Sequence, residues 1–125
     1  MKRLILESLV LLLYVDCVMR LGGLNALQQA LRSQQVRIKE GHVLPTRDEL
    51  CCAMDIASTL YFKQILCLQR SAATALLLRR CGHTAEMVIG AQVLPFKSHA
   101  WVESNGVVVN DRPYIAELYT PLERC

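Results

Sequence analysis

Several features are missing from this chain, and each absence closes off a class of function. There is no dense basic stripe and no run of aromatics interleaved with basic residues. Lysines and arginines are scattered (Lys2/Arg3, Arg79/Arg80, Lys97, Arg112) and the net charge is only +3. A nucleic-acid groove needs far more concentrated positive charge, so no nucleic-acid partner is expected. There is no Cys-x-x-Cys pair and no Cys/His grouping at metal-ligand spacing, although cysteines stand at positions 17, 51, 52, 67, 81 and 125. Neither a zinc site nor a regular disulfide framework is supported, and no metal or cofactor is expected. Most of these thiols lie in apolar stretches, where cysteine behaves as a small buried hydrophobe, a pattern that suits a reducing cytoplasm.

An export signal is also lacking. Met1-Lys2-Arg3 and the apolar run Leu4–Met19 imitate a signal peptide, but Glu7 interrupts the run and no small-x-small site follows. Asp16 before Cys17 spoils a lipoprotein-type site. The stretch is short for a hydrocarbon core of about 30 Å and holds two acids, so it does not read as a span. Leu9–Val15 is nonetheless apolar all round and must be covered. Packing on its own domain is expected. Docking on a partner, or peripheral contact with the inner membrane face, is the sharper alternative. Localisation is expected to be cytoplasmic, with membrane association only through this helix.

What is present specifies one domain. The 125 residues are 53% hydrophobic and 20% charged, enough apolar surface to offset ordering entropy and exclude disorder. A helical pattern runs from Leu4 to near Arg32 with a break at Gly22-Gly23, and Ser33–Pro45 reads as a connector. Thr46, with Glu49 in capping-box position, starts a helix that runs to near Gln64. Another helix runs from Cys67 to Arg80 and stops at Gly82. The period then becomes alternating, with strands in Thr84–Gln92, Ser98–Glu103 and Val107–Asp111. Helices followed by antiparallel strands indicate an α+β fold, N-terminal helices packed on a small antiparallel sheet. Residues 1–45 form the N-terminal helical region and connector, and 46–125 the core, within one compact domain.

Cys67 opens a helix, where free backbone N–H groups and the dipole lower a thiol pKa, and its own N–H could serve as an oxyanion donor. Taken alone, Cys67 is one of six cysteines and reads as one more small core residue. His99 shares a strand face with Trp101 and Glu103, while Ala100 and Val102 take the other. A three-residue Ser104-Asn105-Gly106 loop would pair His99 with Asp111, and this is the loop expected. A two-residue Asn105-Gly106 turn would instead pair Asp111 with Ala100, point it away from His99 and favour Asn110 as third member. Trp101 is either a wall of the site or core. Arg70 is either a substrate contact or a solvated surface arginine. Gln64 is a further oxyanion candidate, and His83 reads as surface.

The segments Cys67-Leu68-Gln69-Arg70-Ser71, Leu76–Gly82, Val88-Ile89-Gly90, His99–Glu103 and Val109-Asn110-Asp111 resemble the B-type leader peptidases of lasso-peptide biosynthesis. These form a family within the transglutaminase-like cysteine protease superfamily. The likeness covers roughly the C-terminal half. It implies a transglutaminase-like, papain-like core with Cys67 as nucleophile, His99 as general base and then acid, and Asp111 orienting the histidine. It further implies removal of the leader from a lasso precursor peptide, which frees the core amine for a separate ATP-using lasso cyclase. The stand-alone form of the peptidase is implied, with a separate leader-recognition protein delivering the precursor. The rival readings are acyl transfer by the same thiol chemistry, and an inactive module that only holds a peptide.

Overall fold

The computed structural model describes residues 2–37, 44–93 and 95–125, so residues 38–43 of the expected connector lie outside the described part. The leucine-rich start forms α1 (Lys2–Ser33), broken where glycine was expected to break it: Gly23 has φ 69° and ψ −162°. Leu12, Val15, Leu27 and Leu31 are fully buried, whereas Leu6, Val10, Leu13 and Tyr14 remain exposed. The apolar stretch therefore packs on its own domain along one face only. Among the described residues no helix is long and apolar enough to cross a membrane.

Thr46 caps α2 (Arg47–Leu60), its hydroxyl accepting the Glu49 N–H at 3.1 Å. The return bond from the Glu49 side chain is not formed, so only half of the expected capping box exists. The helix also ends before Gln64, because Tyr61 and Lys63 turn toward the buried Asp16 of α1. Tyr61 Oη donates to Asp16 at 3.3 Å and Lys63 Nζ at 2.6 Å. A buried carboxylate without such partners would be costly. The Lys63 hydrogen bond, against the opposing cost of burial, holds the Asp16 carboxyl below its ordinary value. The cluster ties the segment leading into the next helix to α1.

That helix, α3 (Cys67–Arg80), has the expected bounds. Every residue from Ser71 to Arg79 is buried, as befits a helix with alanine and leucine on all sides. It closes with a Schellman arrangement: His83 N–H donates to Leu78 O at 2.9 Å and Gly82 N–H to Arg79 O at 3.2 Å, with Gly82 at φ 89°. His83 is not the surface residue expected. It is half-buried, with Nε2 within 2.7 Å of Pro45 O.

The sheet holds β1 (Glu86–Gln92), β2 (Lys97–Ser104), β3 (Val107–Val108) and, after the short α4 (Ile115–Leu118), β4 (Thr120–Arg124). The order is β3-β2-β1-β4, all neighbours antiparallel. The α+β expectation holds, while β3 is shorter than expected and α4 and β4 were not expected. Met87, Ile89 and Val102 pack with the helices. Val88, Trp101, Ile115 and Tyr119 cluster separately, on the other face by strand alternation.

Arg79 joins these layers. Its guanidinium donates to Ala85 O through Nε (3.0 Å) and Nη2 (2.8 Å), to Cys125 O (2.8 Å), to Gln34 O (3.3 Å) and to Leu31 O. One buried cation thus serves carbonyls at the end of α1, the entry to β1 and the end of β4. Arg79→Met should lower unfolding free energy by about 3–5 kcal/mol, since it leaves several buried carbonyls without a donor at about 1–3 kcal/mol each. The measurement is urea denaturation, read as a lower midpoint at unchanged slope. A loss below about 1 kcal/mol would contradict this role.

Candidate active site

Cys67 is the first residue of α3, half-buried, behind the N-cap Leu66, whose N–H donates to Gln69 Oε1 at 3.2 Å. The N–H groups of this first turn have no intrahelical acceptors and face outward with the positive end of the dipole. The other cysteines are placed differently: Cys51, Cys81 and Cys125 are buried, Cys17 and Cys52 exposed. Burial, with the charges of Asp55 and Asp48, pushes the Cys51 thiol up to about 11, and burial also raises Cys125.

His99 lies on β2 opposite Gly90 of β1. Its ring packs 6.2 Å from Trp101 and 5.5 Å from Tyr119, measured between centroids. Gly90 makes room for this group. A Cβ there would come within 2.7 Å of the Trp101 ring and 3.0 Å of Tyr119 Cβ. Trp101 is fully buried and its indole N–H donates to Glu103 Oε2 at 2.9 Å. Glu103 in turn accepts from Arg124 at 3.1 Å. Of the two readings open for Trp101, wall of the site or core, the structure gives core: the side chain offers no surface to a substrate and packs against the His99 ring. Tyr119 went unrecognised in the sequence, since nothing local marks it as a neighbour of His99.

The route to Asp111 differs from the expected one. Asn105 (φ 52°) and Gly106 (φ 78°) form a two-residue turn, and Ser104 pairs with Val107 and Glu103 with Val108. The three-residue loop is absent, and no ladder pair joins His99 to Asp111. Val109 N–H still donates to Val102 O at 3.0 Å, in register. Then the ladder stops, because Val102 N–H donates to the Asn110 side-chain Oδ1 at 2.7 Å. The chain bends out, and Asp111 Oδ2 meets His99 Nε2 at 2.5 Å. Asn110 is thus not the third member that a two-residue turn was expected to favour.

The Asp111 carboxylate also accepts the Arg112 N–H on Oδ1 at 2.7 Å. Burial would raise its pKa, but the His99 and Arg112 hydrogen bonds and the charges of His99 and Arg70 outweigh it and hold the carboxyl below its ordinary value. With Nε2 committed to Asp111, Nδ1 is the ring nitrogen left for a reacting group.

Among the described residues no hydrogen bond joins the Cys67 thiol to His99 or Asp111. The link is one turn of helix, about 6 Å of rise. Ser71, on the same face of α3, donates to the carbonyl of Ala100 at 3.1 Å, next to His99. Arg70 is not the solvated arginine expected. It lies 4.0 Å from Asp55, and its Nε is buried without a partner among the described residues. Gln64 is exposed, and among the described residues no hydrogen bond holds it toward Cys67. Among the described residues no group of three or more His, Cys, Asp or Glu is placed to hold a metal ion.

A family model of the transglutaminase-like superfamily matches residues 11–124. The chain is also similar to the microcin J25-processing protein McjB of Escherichia coli, with 45% identity over 47 residues. That match covers 38% of this chain and 23% of McjB, under a quarter of the relative's length. No solved structure matches the chain significantly.

Two outcomes follow from this geometry. Gly90→Ala should displace Trp101 and Tyr119 and disturb the His99 ring, seen as altered near-ultraviolet dichroism and a destabilisation of about 1–3 kcal/mol; an unchanged aromatic spectrum would refute it. Because the folded Asp111 pKa is depressed, its stabilising contribution is complete above the ordinary carboxylate value of 3.8 and is lost as pH falls through the lower folded value. Asp111→Asn should therefore flatten the acid limb of stability below about pH 4, measured by urea midpoints; an equally steep limb in the variant would argue against the pairing.

Proposed function

The chain belongs to the transglutaminase-like superfamily, and from that premise we propose that it is a cysteine peptidase that removes the leader from a lasso-type precursor peptide. The observation that carries this reading is the His99–Asp111 hydrogen bond of 2.5 Å, next to the helix that Cys67 opens. The similarity to a microcin J25-processing protein supports a role in peptide processing.

The chemistry proceeds through an acyl-enzyme. His99 Nδ1 takes the proton of the Cys67 thiol, and the thiolate attacks the carbonyl carbon of the bond joining leader to core. The oxyanion forms against the Cys67 backbone N–H, with Gln64 as a second donor if it turns inward. His99 then protonates the leaving amine, which departs with the core peptide and leaves the leader as a thioester. Water, giving its proton to His99, hydrolyses the thioester to a leader carboxylate and the free thiol. Asp111 keeps the ring in the Nε2–H tautomer and stabilises the imidazolium. Arg70, half-buried in the first turn of α3, is the arginine that contacts the bound peptide in this reading.

In this reading residues 1–45 and 46–125 work as one unit, held by Arg79 from one side and Asp16 from the other. A separate leader-recognition protein presents the precursor, and the freed amine goes on to a separate lasso cyclase.

The test is mass spectrometry of a cognate precursor incubated with the protein and the recognition partner. Cleavage at the leader–core junction is expected, with a fall of at least about 1000-fold for Cys67→Ala. Equal cleavage by the variant would remove Cys67 as nucleophile. A leader mass increased by an added amine would show acyl transfer, and intact precursor with a proven partner would favour a module that only holds peptide.

A further inference from the structure

The strand register works against the His99–Asp111 contact. Continued beyond Val109, the observed pairing would set Asp111 opposite Ala100, and opposed residues share a sheet face. Ala100 is on the face of Val102, toward the helices, whereas His99 is on the face of Trp101. For Asp111 to reach His99 the ladder must be broken after Val109, and the Val102 N–H must still find an acceptor.

Asn110 meets both requirements. Its Oδ1 accepts from Val102 N–H at 2.7 Å, replacing the acceptor that a continuing strand would supply. Its Nδ2 donates to Ser71 Oγ at 3.0 Å, and Ser71 Oγ donates to Ala100 O at 3.1 Å. The amide is therefore used at both ends, one on the strand of His99 and one on the helix of Cys67. A carboxylate could not donate to Ser71, and a hydroxyl could not span both partners in this way.

We propose that Asn110 is a positioning residue: with Ser71 it clamps the helix bearing Cys67 to the strand bearing His99, and by ending the ladder it delivers Asp111 to His99. The catalytic consequence rests on the peptidase reading, whereas the effect on the His99 ring does not. Asn110 touches no reacting atom; it acts through Asp111 and through the spacing between α3 and β2.

Two readouts test this. The first is the ¹⁵N spectrum of the histidine rings, which reports which nitrogen carries the proton, with His99 assigned by its Gln variant. The wild type should show His99 as the Nε2–H tautomer, and Asp111→Ala should show a tautomer mixture. Asn110→Ala, verified as folded by circular dichroism, should show the same mixture. The second readout is steady-state cleavage of a cognate precursor with the recognition partner present. Here kcat should fall about 10- to 100-fold with KM little changed, as expected for misplaced catalytic groups.

A folded Asn110→Ala with the wild-type ring pattern, or a kcat loss no greater than its unfolded fraction, would overturn the proposal. If Asn110→Ala does not fold, Ser71→Ala decides. It removes one arm of the clamp and should shift the ring pattern in the same direction by a smaller amount; an unchanged pattern would overturn the clamp. Failure of the wild type to cleave any precursor would defeat the peptidase reading and leave the ring test to judge the clamp alone.

Discussion

Helix α3 is covered on every side from Ser71 to Arg79, and the rest of the molecule is arranged around that burial. A helix enclosed in this way must satisfy any polar group it carries. At its C-terminal end the Arg79 cation does so by reaching backbone carbonyls at the end of α1, just before β1 and at the end of β4. At its N-terminal end Ser71 and Asn110 do so with neutral hydrogen bonds to β2 and to the chain leaving β3. The first turn is only half-buried, so Cys67 is presented at the rim with its helix held at both ends.

The sheet divides the labour between its faces. One face packs on the helices through side chains such as Met87, Ile89 and Val102. The other carries the histidine and its aromatic shelf of Trp101 and Tyr119. Gly90 lets that shelf lie flat, and the irregularity in the β1–β4 pairing between Ile89 and Gly90 falls at the same place. Glu103 and Arg124 fix the far side of the tryptophan. The imidazole is held by the neighbouring rings of Trp101 and Tyr119 as well as by the Asp111 carboxylate, which suits a group that must hold one orientation while passing a proton.

Much of this was legible residue by residue. The bounds of α3 follow from local signals, a run rich in alanine, leucine and arginine and Gly82 beyond a basic pair, and the structure keeps them. The break in α1 follows from glycine. The two faces of β2 follow from alternation alone. The strand register was misjudged because two- and three-residue loops are both open to Ser-Asn-Gly, and the choice depends on Asn105 entering the left-handed region at φ 52°. β4 was missed because Pro121 interrupts its pattern and the strand is exposed throughout; proline is tolerated there because the strand is at the sheet edge.

The residues that make up the candidate site were set by the chain's chemistry: a cysteine at a helix start, a histidine on a half-buried strand, and an aspartate beyond a hairpin. Residue type and period mark these positions as candidates, but it was the resemblance to the leader peptidases that singled out Cys67 among six cysteines and joined it to His99 and Asp111. How the aspartate reaches the histidine was not local. It required a side-chain amide to replace a backbone acceptor and a hydroxyl from a helix distant in sequence to hold that amide. The buried role of Trp101 and the arrival of Tyr119 beside His99 were likewise settled only when β4 and α3 closed on the sheet. Contacts between residues far apart in sequence depend on the packing of whole elements, and no periodicity within either partner encodes them.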